Sequence, residues 1–212
     1  MDFEFLKTAF LTMFVAIDPP GLAPIFISLT AHMALRERKS TALWAVLIAF
    51  CILAASALIG KDLLGALGIG IPAFRIAGGL LLFSIAVEMV FEHREQRRSQ
   101  NAETAVVHDH HKSIAAFPLA MPLMAGPGAI TATILQASNA HEHWLNMVGL
   151  IGVLAVVVGS CIPVFLMANR IDKFLGVSGR VILSRLLGVL LAAMAVQIVG
   201  DGIFAFMATY PR

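Results

Sequence analysis

The sequence has little charge: Asp, Glu, Lys and Arg together make up 13% of its 212 residues, whereas soluble domains have roughly a quarter. Cysteine is scarcer still. Cys51 and Cys161 both lie in apolar segments, where a thiol is normally a small packing group, so we predict no disulfide. The chain also lacks a GxxxxGK(S/T) loop and an HExxH sequence. These absences exclude the usual signatures of ATP-driven proteins and zinc hydrolases, and we predict that the protein is not an enzyme and needs no cofactor.

Apolar residues make up 59% of the chain, and the mean hydropathy is +0.88. Six apolar segments of about 19 residues or more are each long enough to cross a hydrocarbon core of about 30 Å. They are Phe5–Leu29, Ala42–Gly60, Ala73–Phe91, Ala116–Ala137, Val148–Ala168 and Leu186–Met207. We therefore predict one all-α membrane domain over residues 1–212 with six transmembrane helices. The net charge of +2 gives no reason to expect a nucleic-acid partner.

Lysine and arginine are divided unevenly between the loops, and in membrane proteins the basic loops face the cytoplasm. The loops after segments one, three and five carry ten of these residues, and the opposite side carries three. The ten are Arg36, Arg38, Lys39, Arg94, Arg97, Arg98, Lys112, Arg170, Lys173 and Arg180; the three are Lys7, Lys61 and Arg212. We therefore predict a multi-pass protein with both termini on the outer side. Arg75 and Arg185, at segment ends, are interpreted as interfacial anchors, with a role in gating as the alternative.

The two halves of the chain are similar in sequence. PPGLAPIFI at Pro19–Ile27 aligns with GPGAITATI at Gly126–Ile134, and RIAGGLLLFSIAV at Arg75–Val87 aligns with RLLGVLLAAMAVQ at Arg185–Gln197. Each half holds three predicted helices, an odd number, so the second half enters the membrane from the opposite side. We predict an inverted-topology repeat, with repeat one over about 1–91, a cytoplasmic loop over about 92–115 and repeat two over about 116–207. Such repeats recur in secondary transporters.

Helices 1 and 4 are predicted to be broken near the membrane midplane. Asp18 lies about 13 residues into the first apolar segment and is followed by two prolines, which stop a helix and suit the first position of a new one. Asp is also a favourable N-cap. It could cap the second half-helix, receive a substrate ammonium group, or carry a coupling H⁺ or Na⁺. A carboxylate at this depth is a functional candidate by default.

The corresponding break in the fourth segment is AGPG, where Gly126 permits a turn, Pro127 starts a half-helix and Gly128 allows a close approach. Helix N-termini carry free N–H groups and about +0.5 of a charge. We expect the N-termini of both half-helices to meet at the midplane and to bind a carboxylate or another small anion. Thr131 and Thr133 would add hydroxyl groups.

Histidines cluster in the long polar loop, at His108, His110 and His111 beside Asp109, and again at His141 and His143. Ligand spacing without a second supporting cluster is a weak indication of a metal site. We interpret both groups as solvated loop residues and predict no metal site.

Three stretches of this chain together resemble the MarC family of bacterial inner-membrane proteins. They are DPPGLAPIF from Asp18, FPLAMPLMAGPGAIT over Phe117–Thr131 and RIAGGLLLF over Arg75–Phe83. The resemblance extends over essentially the whole chain and implies a location in the bacterial inner (plasma) membrane. One branch of that family is described as neutral amino-acid transporters. By resemblance, the positions that correspond to the family's motifs are Asp18, Pro19, Pro20, Gly21, Pro24, Gly126, Pro127 and Gly128.

The repeat, the breaks and the resemblance together predict a secondary transporter of small zwitterionic solutes, above all neutral amino acids. It would work by alternating access with H⁺ or Na⁺ coupling, with the lipid bilayer as its surroundings. The predicted substrate-binding residues are Asp18, Pro19, Pro20, Gly21, Gly126, Pro127, Gly128 and Thr131, and Asp18 also serves the coupling ion. Two alternatives remain open: an exporter of another small metabolite or drug, and a non-transporting membrane scaffold protein.

Overall fold

The computed structural model of the chain describes residues 2–92, 114–140 and 144–209. These ranges are helical and contain no strand. The helices are α1 (Phe3–Ile17), α2 (Pro19–Leu29), α3 (Leu35–Ala66), α4 (Ile71–Val90), α5 (Ala115–Met124), α6 (Pro127–Ala140), α7 (Trp144–Leu166) and α8 (Ala168–Thr209). The two histidine groups, His108–His111 and His141 with His143, lie outside the described residues. Within the described ranges, no three His, Cys, Asp or Glu residues are grouped so that they could hold a metal ion.

Within these ranges, five stretches are long and apolar enough to cross a bilayer. They are Phe3–Leu29, which contains α1 and α2, Leu35–Ala66, Ile71–Val90, Trp144–Leu166 and Ser178–Thr209. Helices α5 and α6 make a sixth span if the pair is taken as one, and they meet at an angle of 60°. The prediction of an all-α membrane protein is confirmed, with five or six candidate spans.

Two helices extend well beyond their apolar segments. Helix α3 begins at Leu35 in a charged turn, because the Glu37 carboxylate accepts a hydrogen bond of 2.9 Å from the Ala34 N–H and so closes the helix start. Helix α8 begins at Ala168 but bends at Gly176, whose φ of 60° lies in the region that glycine adopts most readily. The bend separates a short charged first part of α8 from its membrane span.

Helices α4 and α8 pack tightly against each other in antiparallel directions. Near one end of the pair Gly202 lies against Arg75 and Ile76, and near the other end Gly188 lies against Met89. Between them, a Cβ atom added to Gly79 would lie 3.0 Å from the Ala195 carbonyl oxygen. The glycines therefore let the two helix backbones come together, as small residues commonly do between membrane helices.

The remaining helices also pack between the two halves of the chain. Helix α3 packs against α5 and α6, and α7 packs against α1 and α2. Helix α4 contacts α6, and α8 contacts α2. Each of these contacts therefore has a counterpart with the halves exchanged, whereas the contact of α1 with α8 has no comparable one between α5 and α4.

The α1–α2 span is the most enclosed of the five single spans. In its most apolar stretch 61% of the residues are buried, whereas the other four single spans have 17–33%. Helix α3 faces this centre with a stripe of buried residues, Ala42, Ala45, Ala49, Leu53 and Ala57, whose spacing keeps them on one helix face. Large apolar side chains such as Trp44 and Phe204 point outward, which suits a lipid environment. The interrupted span thus lies in the centre, where polar groups are shielded from lipid.

Candidate functional site

The junction between α1 and α2 is formed by Asp18. Its backbone adopts a left-handed conformation with φ 57° and ψ 65°, which Asp tolerates better than most residues. Its N–H donates to the Phe14 carbonyl at 2.9 Å and so completes α1. Its side chain turns back to accept a hydrogen bond of 3.2 Å from the Gly21 N–H at the start of α2. A single residue therefore ends one helix and caps the next, and it is only 4% exposed.

Glycine is required at position 21 for this cap to form. A Cβ atom added to Gly21 would overlap the Asp18 carboxylate. The Asp18 carboxylate therefore occupies the space beside the first turn of α2 that a side chain at position 21 would fill.

The start of α2 differs from the sequence expectation in one respect. A helix N-terminus normally offers several N–H groups without a helical acceptor, but Pro19 and Pro20 occupy the first two positions of α2 and have no N–H. The next N–H, of Gly21, is already bonded to Asp18. The expectation that both half-helices present free donors is therefore wrong for α2, because its sequence removes two donors and its cap uses the third.

The junction between α5 and α6 is built differently. Phe117 and Met121 have non-helical backbone angles in α5, since each precedes a proline, which disfavours the helical conformation. The Ala125 N–H closes the segment with a bond of 2.8 Å to the Ala120 carbonyl. A Cβ atom added to Gly126 would overlap the Pro122 carbonyl oxygen. The 60° bend therefore depends on two prolines and on glycine at position 126.

The first turn of α6 retains donors that α2 lacks. Pro127 removes one N–H, but those of Gly128 and Ala129 belong to the first turn, where no helical carbonyl is available. Gly128 also packs against Ile85 of α4, and a Cβ atom on Gly78 would lie 2.6 Å from Thr131 Cγ2. Gly128 and Thr131 thus contact α4 with their apolar surfaces, while the N–H groups of the turn remain the candidate anion donors.

Helix α6 also packs against α1, and the two run antiparallel. Gln136 Nε2 lies 3.2 Å from Thr12 Oγ1, and Thr133 Oγ1 lies 3.4 Å from Met13 Sδ. Residue numbers thus rise along α1 as they fall along α6. If this register continued at about 1.5 Å per residue, Asp18, at the end of α1, would come level with the first turn of α6. We therefore expect the carboxylate and the candidate donors to lie at a similar height.

A cluster of polar side chains lies towards the other end of α6. It was not predicted as a site from the sequence. Arg75, Gln136, Asn139 and Asp201 line a pocket with a volume of about 250 Å³. Arg75 donates to Asn139 Oδ1, although from the sequence we interpret it as an interfacial anchor or a gating residue. The residues come from α4, α6 and α8, so no sequence spacing connects them. Arg185, which aligns with Arg75 in the predicted repeat, forms an ion pair with Glu92 instead.

The comparison with known families and proteins agrees with the membrane architecture. A family model described as MarC family integral membrane protein matches residues 3–207. A UPF0056 membrane protein of Archaeoglobus fulgidus is 38% identical over 202 residues, covering 94% of this chain and 92% of its own. The UPF0056 membrane protein YhcE of Escherichia coli is 35% identical over 205 residues, covering 95% and 93%.

A third relative matches over a similar share of the chain. The UPF0056 membrane protein YvbG of Bacillus subtilis is 32% identical over 209 residues and covers 96% of both chains. No solved structure matches this chain significantly. The relatives' names describe membrane proteins and state no activity.

Proposed function

Because this chain belongs to the MarC family of integral membrane proteins, we propose that it is a secondary transporter of small zwitterionic solutes, above all neutral amino acids. Transport would proceed by alternating access and would be driven by H⁺ or Na⁺. The observation that carries the proposal is the pair of corresponding interruptions, Asp18 between α1 and α2 and Ala125–Gly126 between α5 and α6.

The packing of the helices supports an inverted repeat as the basis of this mechanism. In the proposed arrangement an axis in the membrane plane passes between α4 and α8 and exchanges the two halves. Such an axis requires equivalent helices to run antiparallel, as α4 and α8 do. Two related halves can exchange conformations, which gives outward-open and inward-open states of similar energy.

The chemistry of the two interruptions supports a zwitterionic substrate. Asp18 is a buried carboxylate, and its Oδ1 caps α2. It would receive the substrate ammonium group or the coupling cation. The Gly128 and Ala129 N–H groups, with the positive end of the α6 dipole, would receive the substrate carboxylate. In this arrangement α2 contributes its helix dipole and the Asp18 carboxylate at its N-terminus, and α6 contributes the N–H donors.

Uptake into proteoliposomes tests the proposal. Purified protein is reconstituted, and the accumulation of radiolabelled glycine, alanine, serine, threonine and leucine is measured under an imposed Na⁺ gradient and, separately, a pH gradient. We expect gradient-dependent accumulation of at least one amino acid above that in empty liposomes. If none accumulates under either gradient while the reconstituted protein remains folded, the proposed substrate class is wrong.

A further inference from the structure

The pocket between α4, α6 and α8 holds two opposite charges that do not neutralise each other. Arg75 and Asp201 both line it, yet within the described residues no ion pair shorter than 4.0 Å joins them. Arg75 donates to Asn139 instead, and Asp201 Oδ1 accepts a hydrogen bond of 2.9 Å from Gln197 Nε2. Each charged group therefore has a neutral partner and keeps capacity for a further one.

The unused capacity of these groups is considerable. A guanidinium has five N–H donors in a planar fork that matches a carboxylate, and a carboxylate has about four acceptor sites. Arg75 suits a carboxylate ligand more closely than a lysine would, because its fork binds both oxygens. Asp201 suits an ammonium group. A ligand that carries both groups would satisfy the two residues at once.

The size of the pocket and its polar wall suit a small solute. Its volume of about 250 Å³ is below the range of roughly 300–1,000 Å³ found for drug-sized ligands. Gln136, which is 7% exposed, is held in the wall by its bond to Thr12 Oγ1. Thr12 lies on α1, six residues before Asp18 and hence about 9 Å from it along the helix axis. The pocket thus adjoins the helix that leads to the proposed central site.

We propose that this pocket is a second binding site for a small zwitterion, in which Arg75 binds the carboxylate and Asp201 binds the ammonium group. The pocket lies at the end of α4 that the charge distribution predicts to face outside. A solute arriving from that side would therefore bind here first. The choice of neutral amino acids as ligands rests on the proposed transport function. The headgroup of phosphatidylethanolamine also carries an ammonium group and an anion, so the experiment must separate a soluble solute from a lipid.

Equilibrium binding of radiolabelled L-alanine to the full chain tests this site. The protein is purified in detergent and placed in nanodiscs of phosphatidylglycerol, whose headgroup has no ammonium group. The measurement is made on the Asp18→Asn variant so that the central site does not contribute its carboxylate. We expect saturable binding that is weakened roughly tenfold to hundredfold by Arg75→Gln or by Asp201→Asn, as for the loss of a charged hydrogen-bond partner. Propionate and isopropylamine, each with one of the two charged groups, should compete more weakly than L-alanine.

Arg185→Gln is the matched control, because Arg185 aligns with Arg75 but pairs with Glu92, and it should leave L-alanine binding unchanged. Arg75→Lys, which keeps the charge and loses the fork, should give an intermediate affinity if Arg75→Gln impairs folding. The absence of L-alanine binding, or an unchanged affinity in both Arg75 variants, would overturn the proposal. So would the loss of L-alanine binding in nanodiscs of phosphatidylethanolamine, since the lipid would then be the occupant.

Binding and uptake measurements together distinguish an error in the proposed site from an error in the proposed transport function. Binding to the pocket without any uptake into proteoliposomes would contradict transport and retain the site. Uptake by Arg75→Gln with an unchanged KM would contradict the site and retain transport.

Discussion

Asp18 Oδ1 accepts a hydrogen bond of 3.2 Å from the Gly21 N–H, and this contact joins the end of α1 to the start of α2. It requires glycine at position 21, because any side chain there would displace the carboxylate. It also follows from the two prolines between them, which leave Gly21 as the first residue of α2 with an N–H to donate. The buried carboxylate is thus held by local backbone geometry.

Replacement of Asp18 by Asn separates its charge from its structural role. Asn caps helices as well as Asp does and tolerates the left-handed conformation, so Asp18→Asn should fold normally. We expect it to lose gradient-driven amino-acid uptake, because the neutral amide cannot hold a coupling cation or a substrate ammonium group. Asp62→Asn, which neutralises an exposed carboxylate on α3, is the control and should transport normally. Unchanged uptake by Asp18→Asn would remove Asp18 from the mechanism.

Replacement of Asp18 by Ala should also affect stability. This change removes the cap of α2 and leaves Ala in a left-handed conformation, and the loss of an N-cap costs about 0.5–2 kcal/mol. Thermal unfolding in detergent should therefore show a lower midpoint for Asp18→Ala than for Asp18→Asn. Equal midpoints for the two variants would show that the cap contributes little to stability.

Gly21→Ala tests the cap without changing any charge. The added methyl group would force the Asp18 carboxylate away from the Gly21 N–H, so we expect a lower unfolding midpoint and impaired uptake. Gly152→Ala is the matched control, since a Cβ atom at that position of α7 meets no atom within 4 Å. Normal uptake by Gly21→Ala would show that the position of the Asp18 carboxylate is not critical.

Gly79→Ala tests the close contact between α4 and α8. A Cβ atom there would lie 2.6 Å from Val199 Cγ2 and 3.0 Å from the Ala195 carbonyl oxygen, so the helices must move apart. Overpacking of this kind typically costs about 1–3 kcal/mol, and the thermal midpoint should fall. Gly200→Ala on α8, with no atom within 4 Å of its Cβ position, should have little effect. Similar midpoints for both variants would contradict the tight packing.

Reporter fusions test the predicted orientation. Ten of the thirteen loop and terminal Lys and Arg residues counted above lie on one side, and that side should be cytoplasmic. Alkaline phosphatase fused to the C-terminus should be active in Escherichia coli, and green fluorescent protein fused at the same place should be dark. Insertion of each reporter after residue 100 should give the opposite pattern. Reversed activities would invert the proposed topology.

Much of the architecture could be predicted from the chain itself. Apolar length indicates where the spans lie because a bilayer core has a fixed thickness, and proline with glycine marks the interruptions since neither suits a helix interior. The N-cap role of Asp18 follows from the same local chemistry. Helix ends were less predictable: α3 starts at Leu35 rather than Ala42 because helical geometry continues into charged turns.

The tertiary structure decided which groups meet. Gln136 contacts Thr12, and Arg75 shares a pocket with Asp201, although more than 120 residues separate the members of each pair. Local propensity and periodicity act over a few residues, so they cannot encode such pairings. The chain specifies breaks, caps and spans one segment at a time, whereas the polar pocket and the Gln136–Thr12 contact arise only when antiparallel helices pack in a particular register.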